Sequence, residues 1–141
     1  MGVIDREKRT LLGTWLISSE AQENVPLAYD QINQRLLVVT RKPAKMIVLD
    51  ANSGKVVTSL PCVGLADDAV YDAGHQHIYV AGDQFVDVFE QHADHYALLG
   101  RVPGAFRAKT ALYVPELNRY FLAVPHHENK DAEVWVYNVV P

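Results

Sequence analysis

The sequence predicts an all-β chain built from a repeated unit of four short antiparallel strands, on three observations. Tyr29, Tyr71 and Tyr113 sit at matching points, 42 residues apart each time (71 − 29 and 113 − 71). Each begins the same succession of polar turn, apolar strand, second turn and second apolar strand: LAYDQINQRLLVVT, AVYDAGHQHIYVAG and ALYVPELNRYFLAV. Val, Ile, Leu, Tyr and Thr crowd short runs between clusters of Gly, Asp, Asn, Gln and His, which is strand composition between tight turns. A period of about 40–45 residues holding four strands is the signature of a β-propeller blade. No window of about 11 residues keeps an i, i+3, i+4 apolar stripe, so a helical reading fails.

Taken in order, residues 2–5 (GVID) match the VLD at 48–50 and the VFE at 88–90, the end of a third blade strand. Residues 10–17 (TLLGTWLI) match VVTSL and ALLGRV, which places them as an outermost fourth strand. The polar link SSEAQENVP follows. Blade one spans residues 25–60, with strands at 25–30, 35–40, 45–50 and 55–60. Its last turn, DANSG, combines Asp and Asn with a glycine, Gly54, that accepts positive φ. Blade two spans 67–102, with strands at 68–72, 77–81, 85–90 and 96–102. Blade three spans 109–138, with strands at 110–114, 119–124 and 133–138 and no fourth strand of its own. Alternation is weak in LLVV and MIVL, as expected of strands covered on both faces by neighbouring blades.

A chain of 141 residues is read as a single domain, residues 1–141, large enough for a real core. The net charge of −4 gives no bulk attraction for nucleic acid or an anionic membrane, so neither is expected as a partner. No run approaches the ~20 apolar residues of a membrane span. The first residues carry no secretory signal pattern, and the compartment stays open. The single Cys62 excludes an internal disulfide; it follows Pro61 without a nearby histidine and reads as a buried, inert thiol. The sequence holds no G-x-S-x-G, P-loop, GxGxxG or CxxC. No catalytic residue, metal or cofactor is therefore assigned.

The repeats resemble the YVTN-type β-propeller family, known mostly from bacterial proteins of six or seven blades. The residues that carry this are YD followed by RLLVVT, KMIVLDANSGKVV, and YDAGHQHIYVAG followed by VDVFE. IVLDANSGKVV is similar to the family's strand–turn–strand of the form ϕϕVϕD-x-x-T/S-G-K-V. Residues 109–139 resemble its usual last blade. The likeness covers essentially the whole chain and about half of a typical member, matching its C-terminal half. It implies the fold and leaves function open, because one propeller scaffold hosts unrelated activities. Members are often exported, a property that this chain's first residues do not display.

In a propeller, the loops joining second to third strands share one face with those joining successive blades. That face gathers Arg41, Lys42, Lys45, Asp83, His126, His127 and Glu128 with Glu23, Asn24, Asp67, Asp68, Arg107 and Lys109. Arg41, Lys42, Lys45, Arg107 and Lys109 would suit a small anionic ligand or an acidic protein. Paired carboxylates such as Asp67 and Asp68 can hold a cation, or instead cap backbone N–H groups and pair with Arg107 or Lys109. The expected function is a non-enzymatic binding or scaffold module. The alternative is an enzyme or metal-binding propeller with Asp67, Asp68, His126 and His127 around a central channel. His75, His77, His92 and His95 fall on the opposite face, without the spacing of a strong metal motif.

Three blades do not close a ring, so the sequence predicts a half-propeller that assembles as a homodimer of six blades. The segment 10–17 of one chain would supply the fourth strand of the other's last blade, with Leu11, Leu12 and Trp15 meeting Val134 and Val136. Residues 2–5 have no place in that ring and are expected to be displaced or frayed.

Overall fold

The computed structural model describes residues 1–140, and among them thirteen β-strands form four antiparallel sheets. A hairpin of β1 (Gly2–Asp5) and β2 (Thr10–Thr14) comes first. Sheet one follows in sequential order as β3 (Gln22–Asp30), β4 (Arg35–Lys42), β5 (Ala44–Asp50) and β6 (Val56–Pro61). Sheet two repeats it with β7 (Asp68–Asp72), β8 (His77–Ala81), β9 (Phe85–His92) and β10 (His95–Pro103). Sheet three holds β11 (Thr110–Val114), β12 (Arg119–Val124) and β13 (Glu133–Asn138).

Three local features depart from the sequence reading. β3 starts at Gln22, earlier than residue 25, and a register shift between Asn24 and Leu27 takes up Pro26, which has no N–H to give a ladder. β2 stops at Thr14, but Trp15 still exchanges backbone bonds with Met1 (2.8 and 2.7 Å) while its ring covers the Gly54 turn. Gly54 stands at φ 71°, and a Cβ there would lie 2.3 Å from the Trp15 ring, so both conformation and space require glycine. A 3-10 turn at Pro115–Leu117 separates β11 from β12, started by proline and ended by Asn118 at φ 49°. In the single chain residues 2–5 pair with β2, Ile4 with Leu11 and Val3 with Gly13.

The hairpin shares a signature with the outer strands of the complete sheets. Between Ile4↔Leu11 and Val3↔Gly13, Leu12 has no partner. Val57 is skipped in the same way between Leu49↔Val56 and Val48↔Thr58, and Leu99 between Phe89↔Leu98 and Val88↔Gly100. A bulge bends its strand and increases its twist. Its recurrence at one site identifies β1 and β2 as the outer half of a sheet of the same kind.

The core lies between the sheets. Successive side chains in a strand point to opposite faces, so β4 sends Leu37 and Val39 one way and Val38 the other. Leu37, Val39, Met46 and Val48 meet Ile78, Val80, Phe89 and Tyr96 of sheet two. Val38, Ile47 and Leu49 meet Ile17, Ala21 and Met1 beneath the hairpin. Tyr79, Ala81 and Val86 meet Tyr113, Tyr120 and Leu122 of sheet three. Each such Leu, Val or Phe contributes about 1.5–3 kcal/mol by burial, and the absence of alternation in LLVV and MIVL follows from having a neighbour on both faces.

The 42-residue repeat of tyrosines has a cause in this packing. Asp30, fully buried at the end of β3, accepts backbone N–H bonds from Ile32 (3.0 Å) and Asn33 (3.1 Å). Its second oxygen accepts from Asn33 Nδ2 (2.8 Å) and from Gln91 Nε2 of sheet two (2.9 Å). The Tyr71 hydroxyl also reaches Asp30. Asp72 repeats the arrangement one sheet on, accepting from Gly74 and His75 N–H groups, with the Tyr79 and Tyr113 hydroxyls turned toward it. Asp30 and Asp72 thus turn their own hairpins, and Tyr71 and Tyr113 each reach back to the aspartate of the previous sheet, whereas Tyr29, the first of the series, is half-exposed. Burial pushes both carboxyls up, but the hydrogen bonds to the charged forms outweigh it and hold them below the ordinary value. Burial and the facing carboxylates push Tyr71 and Tyr113 up to about 12.

Candidate functional site

The β4–β5, β8–β9 and β12–β13 turns share a face with the links that precede β3, β7 and β11, and these loops are bonded together. Asp83 N–H donates to the Gly64 carbonyl (3.0 Å) and Gln84 N–H to that of Ala105 (3.2 Å). Gly82 permits this closeness: a Cβ there would lie 2.5 Å from the Gly64 oxygen. The Arg107 N–H donates to Asp83 Oδ1 (2.7 Å).

At the centre of this face Asp67 receives a cation from each side. Arg41, at the end of β4, pairs with Oδ1, and Lys109, ahead of β11, pairs with Oδ2 at 2.8 Å. Asp68 caps backbone N–H groups: its own sheet's Ala69 (3.0 Å) and sheet three's Ala111 (3.0 Å). Lys42 pairs with Glu23 (2.6 Å) and Lys45 lies 3.7 Å from Glu20. The structure thus brings Arg41, Asp67 and Lys109 together across three sheets, and puts Lys42 and Lys45 with acidic partners on the first link. Arg107 is apart from them, its guanidinium 5.3 Å over the Phe106 ring and in no ion pair among the described residues. His126 is exposed at the edge of the β12–β13 loop.

His127 instead packs on Phe106, ring centroids 4.2 Å apart, and exchanges backbone bonds with Lys130. Together with Trp135, whose Nε1 donates to Glu133 at 2.5 Å, they wall a small cleft of about 200 Å³ between the links of sheets two and three. Of the residues expected at an assembly surface, Leu11, Leu12, Val134 and Val136 are exposed. Trp15 is not free for that role, because it stacks on its own Gly54 turn.

One ionic group escaped the sequence reading. Asp87, in the middle of β9, is fully buried and takes a two-pronged bond from Arg101 (2.6 and 2.9 Å). The signal was an acidic residue amid the apolar run FVDVF, where the neighbouring sheets carry Ile47 and Trp135. Cys62 lies near this pair and is pushed up to about 12 by burial and the Asp87 charge, which leaves it a thiol. On the opposite face His75 bonds Asp72 (2.7 Å) and stacks near His77, while His92 lies beside Glu90. Among the described residues, no three His, Cys, Asp or Glu side chains are grouped to hold a metal ion.

A second concavity lies between sheets two and three. About 290 Å³ in volume, it is lined on one side by Val86, Val88, Leu99 and Val102 and on the other by Tyr120 and Tyr137. The Tyr120 hydroxyl is buried there without a hydrogen-bond partner among the described residues.

No protein-family model matches the chain, and no curated protein does. Solved structures do match its fold. A chain of the Kuenenia stuttgartiensis hydrazine synthase superposes over 97% of this chain and 39% of its own, with TM-score 0.83 and 10% identity. A chain of the mitotic checkpoint complex gives TM-score 0.65 and 10% identity over 80% of this chain and 36% of its own. A complex of KlAtg21 with the coiled-coil of AgAtg16 gives TM-score 0.63 and 14% identity over 98% and 46%. This chain therefore spans less than half the length of the chains it matches. The protein is an all-β chain of antiparallel sheets, and its fold is of β-propeller type.

Proposed function

We propose that this chain is a non-enzymatic binding or scaffold unit of three β-propeller blades, which completes itself with a second copy and offers its loop face to a partner. The carrying observation is that the two ends of the row of sheets expose apolar side chains. On the hairpin these are Ile4, Leu11, Leu12 and Leu16, and on sheet three Leu112, Val134 and Val136, each more than half exposed. Complementary patches at opposite ends, once joined twice, close on themselves. Two of the similar structures come from assemblies, the mitotic checkpoint complex and the KlAtg21 complex, which supports a protein-binding role for the loop face. There Arg41, Lys42, Lys45 and Lys109 already face carboxylates, so Arg107, His126, His127 and the Phe106–Trp135 cleft are the groups left to engage an acidic protein. The repeat sequences keep the YVTN-type relationship as part of this reading. Sedimentation equilibrium tests the self-completion: the expected mass is twice 15.8 kDa, and a monomer at micromolar concentration overturns it.

A further inference from the structure

The apolar groove beside β13 and the β1–β2 hairpin bear on one another. β13 is the third strand of its sheet, and its far edge is unpaired among the described residues. Val139 N–H bonds inward to Asn118, so by alternation Tyr137 and Trp135 also face β12, while the N–H groups of Val134, Val136 and Asn138 point out from the edge. The groove lies between this strand and β10, where a fourth strand of sheet three would pack, and Tyr120 and Tyr137 line it.

The hairpin shows which strand fits. β2 carries LLG with its bulge at Leu12, matching LLG of β10 with its bulge at Leu99. By the same alignment β1 stands to β2 as β9 stands to β10. β1 and β13 are therefore equivalent strands, Val3-Ile4-Asp5 corresponding to Val136-Tyr137-Asn138, and both fit the same edge of β2. They differ in how they are held. β1 has four residues, none fully buried, whereas β13 is paired along six residues of β12.

We propose that β1 is a placeholder: the β13 edge of a second copy displaces it, pairs with β2 and seats Leu11 in the groove beside Tyr137. This deepens the self-completion reading and rests on it. Strand addition to a free edge supplies backbone hydrogen bonds. Within one chain the β1–β2 pairing covers the backbone edge of β2, so assembly exchanges that ladder for an equivalent one whose strand is already anchored to β12.

Two opposed variants and a cross-link test this on the full chain. Val136→Pro removes only an outward N–H and should leave the melting temperature of the monomer intact while abolishing the dimer. Val3→Pro/Ile4→Pro weakens β1 and should tighten self-association about tenfold, equivalent to about 1.4 kcal/mol. In the exchanged register Thr10 lies opposite Asn138 of the second copy, so Thr10→Cys/Asn138→Cys should give a covalent dimer under oxidation. A wild-type monomer defeats self-completion itself. A wild-type dimer that survives Val136→Pro, is unmoved by the proline pair, or yields no cross-linked dimer defeats the exchange and leaves self-completion standing. If Val136→Pro fails to fold, the cross-link and the proline pair still decide.

Discussion

β9 and β13 occupy the same place in their sheets and have nearly the same character, FVDVFE against EVWVYN, yet their burial differs. In β9, Val86 is 3% exposed and Phe89 is fully buried; in β13, the residue matching Val86 is Val134, at 65%. Both strands pair along their inner edge. Only β9 has a fourth strand outside it and a packed sheet on each face. The difference teaches that the apolar residues in these strands are not a core by themselves: neighbours make them one.

The largest effect expected from this contrast is a charge at the matched pair. Val86→Lys places an ammonium between sheets two and three without a partner and should cost more than about 4 kcal/mol or prevent folding. Val134→Lys on the open face should change the stability of the dissociated chain by no more than about 0.5 kcal/mol, while weakening its self-association. Urea melts of the two variants compare them directly, and equal midpoints would mean that the sheets are not packed as described.

A second contrast sets Asp72 against Val114, which ends the third Tyr-containing strand with no carboxylate. Asp72→Ala leaves the Tyr113 and Tyr79 hydroxyls and two turn N–H groups without their acceptor and should cost about 2–4 kcal/mol. Val114→Ala, half-buried and joined to no further sheet, should cost about 1 kcal/mol. Thermal unfolding would show whether the tyrosine–aspartate ties deserve that ranking.

Glycine positions sharpen the comparison between the hairpin end and the link between sheets two and three. Gly54→Val meets both a positive φ and the Trp15 ring and should cost about 1–3 kcal/mol. Gly104→Val meets the Leu122 Cδ2 at 3.3 Å, a tighter site than a long loop suggests, yet the contact is a side-chain tip that can shift. A loss near 1 kcal/mol is expected there. A larger loss at Gly104 than at Gly54 would contradict the role given to Trp15.

Acid should act first on the ties between adjacent sheets. Asp30 and Asp72 have folded-state pKa values lowered relative to the unfolded chain, so their stabilisation is complete above the ordinary aspartate value of about 3.9. It is lost as pH falls through the lower folded values. Asp30→Asn/Asp72→Asn should therefore flatten the loss of stability below about pH 4, measured by chemical denaturation across pH. The smallest effect is at Cys62: a thiol held near 12 should resist alkylation at neutral pH in the folded protein and react at once in denaturant.

Much of this architecture was legible in residue order. The tyrosine spacing, the DANSG turn and the apolar runs located eleven strands of three sheets, because turn chemistry and strand composition act over a few neighbouring residues. LLG at 11–13 and at 98–100 even marked equivalent outer strands. The site was less legible. The sequence showed that Arg41, Asp67 and Lys109 share a face, but not that one carboxylate takes both cations, since they come from loops 26 and 42 residues apart (67 − 41 and 109 − 67).

Local order thus determined which residues form strands, where they turn and how often the unit repeats. Tertiary structure alone decided that Asp30 and Asp72 are buried acceptors joining adjacent sheets, that Asp87, buried in β9, pairs with Arg101 of β10, and that the Trp15 ring belongs to its own chain's turn. It also decided that β1 occupies the edge of β2. The physical reason is that strand formation depends on near neighbours, whereas the desolvation and pairing of a charge, an aromatic ring or a strand edge depend on whatever the fold brings against it.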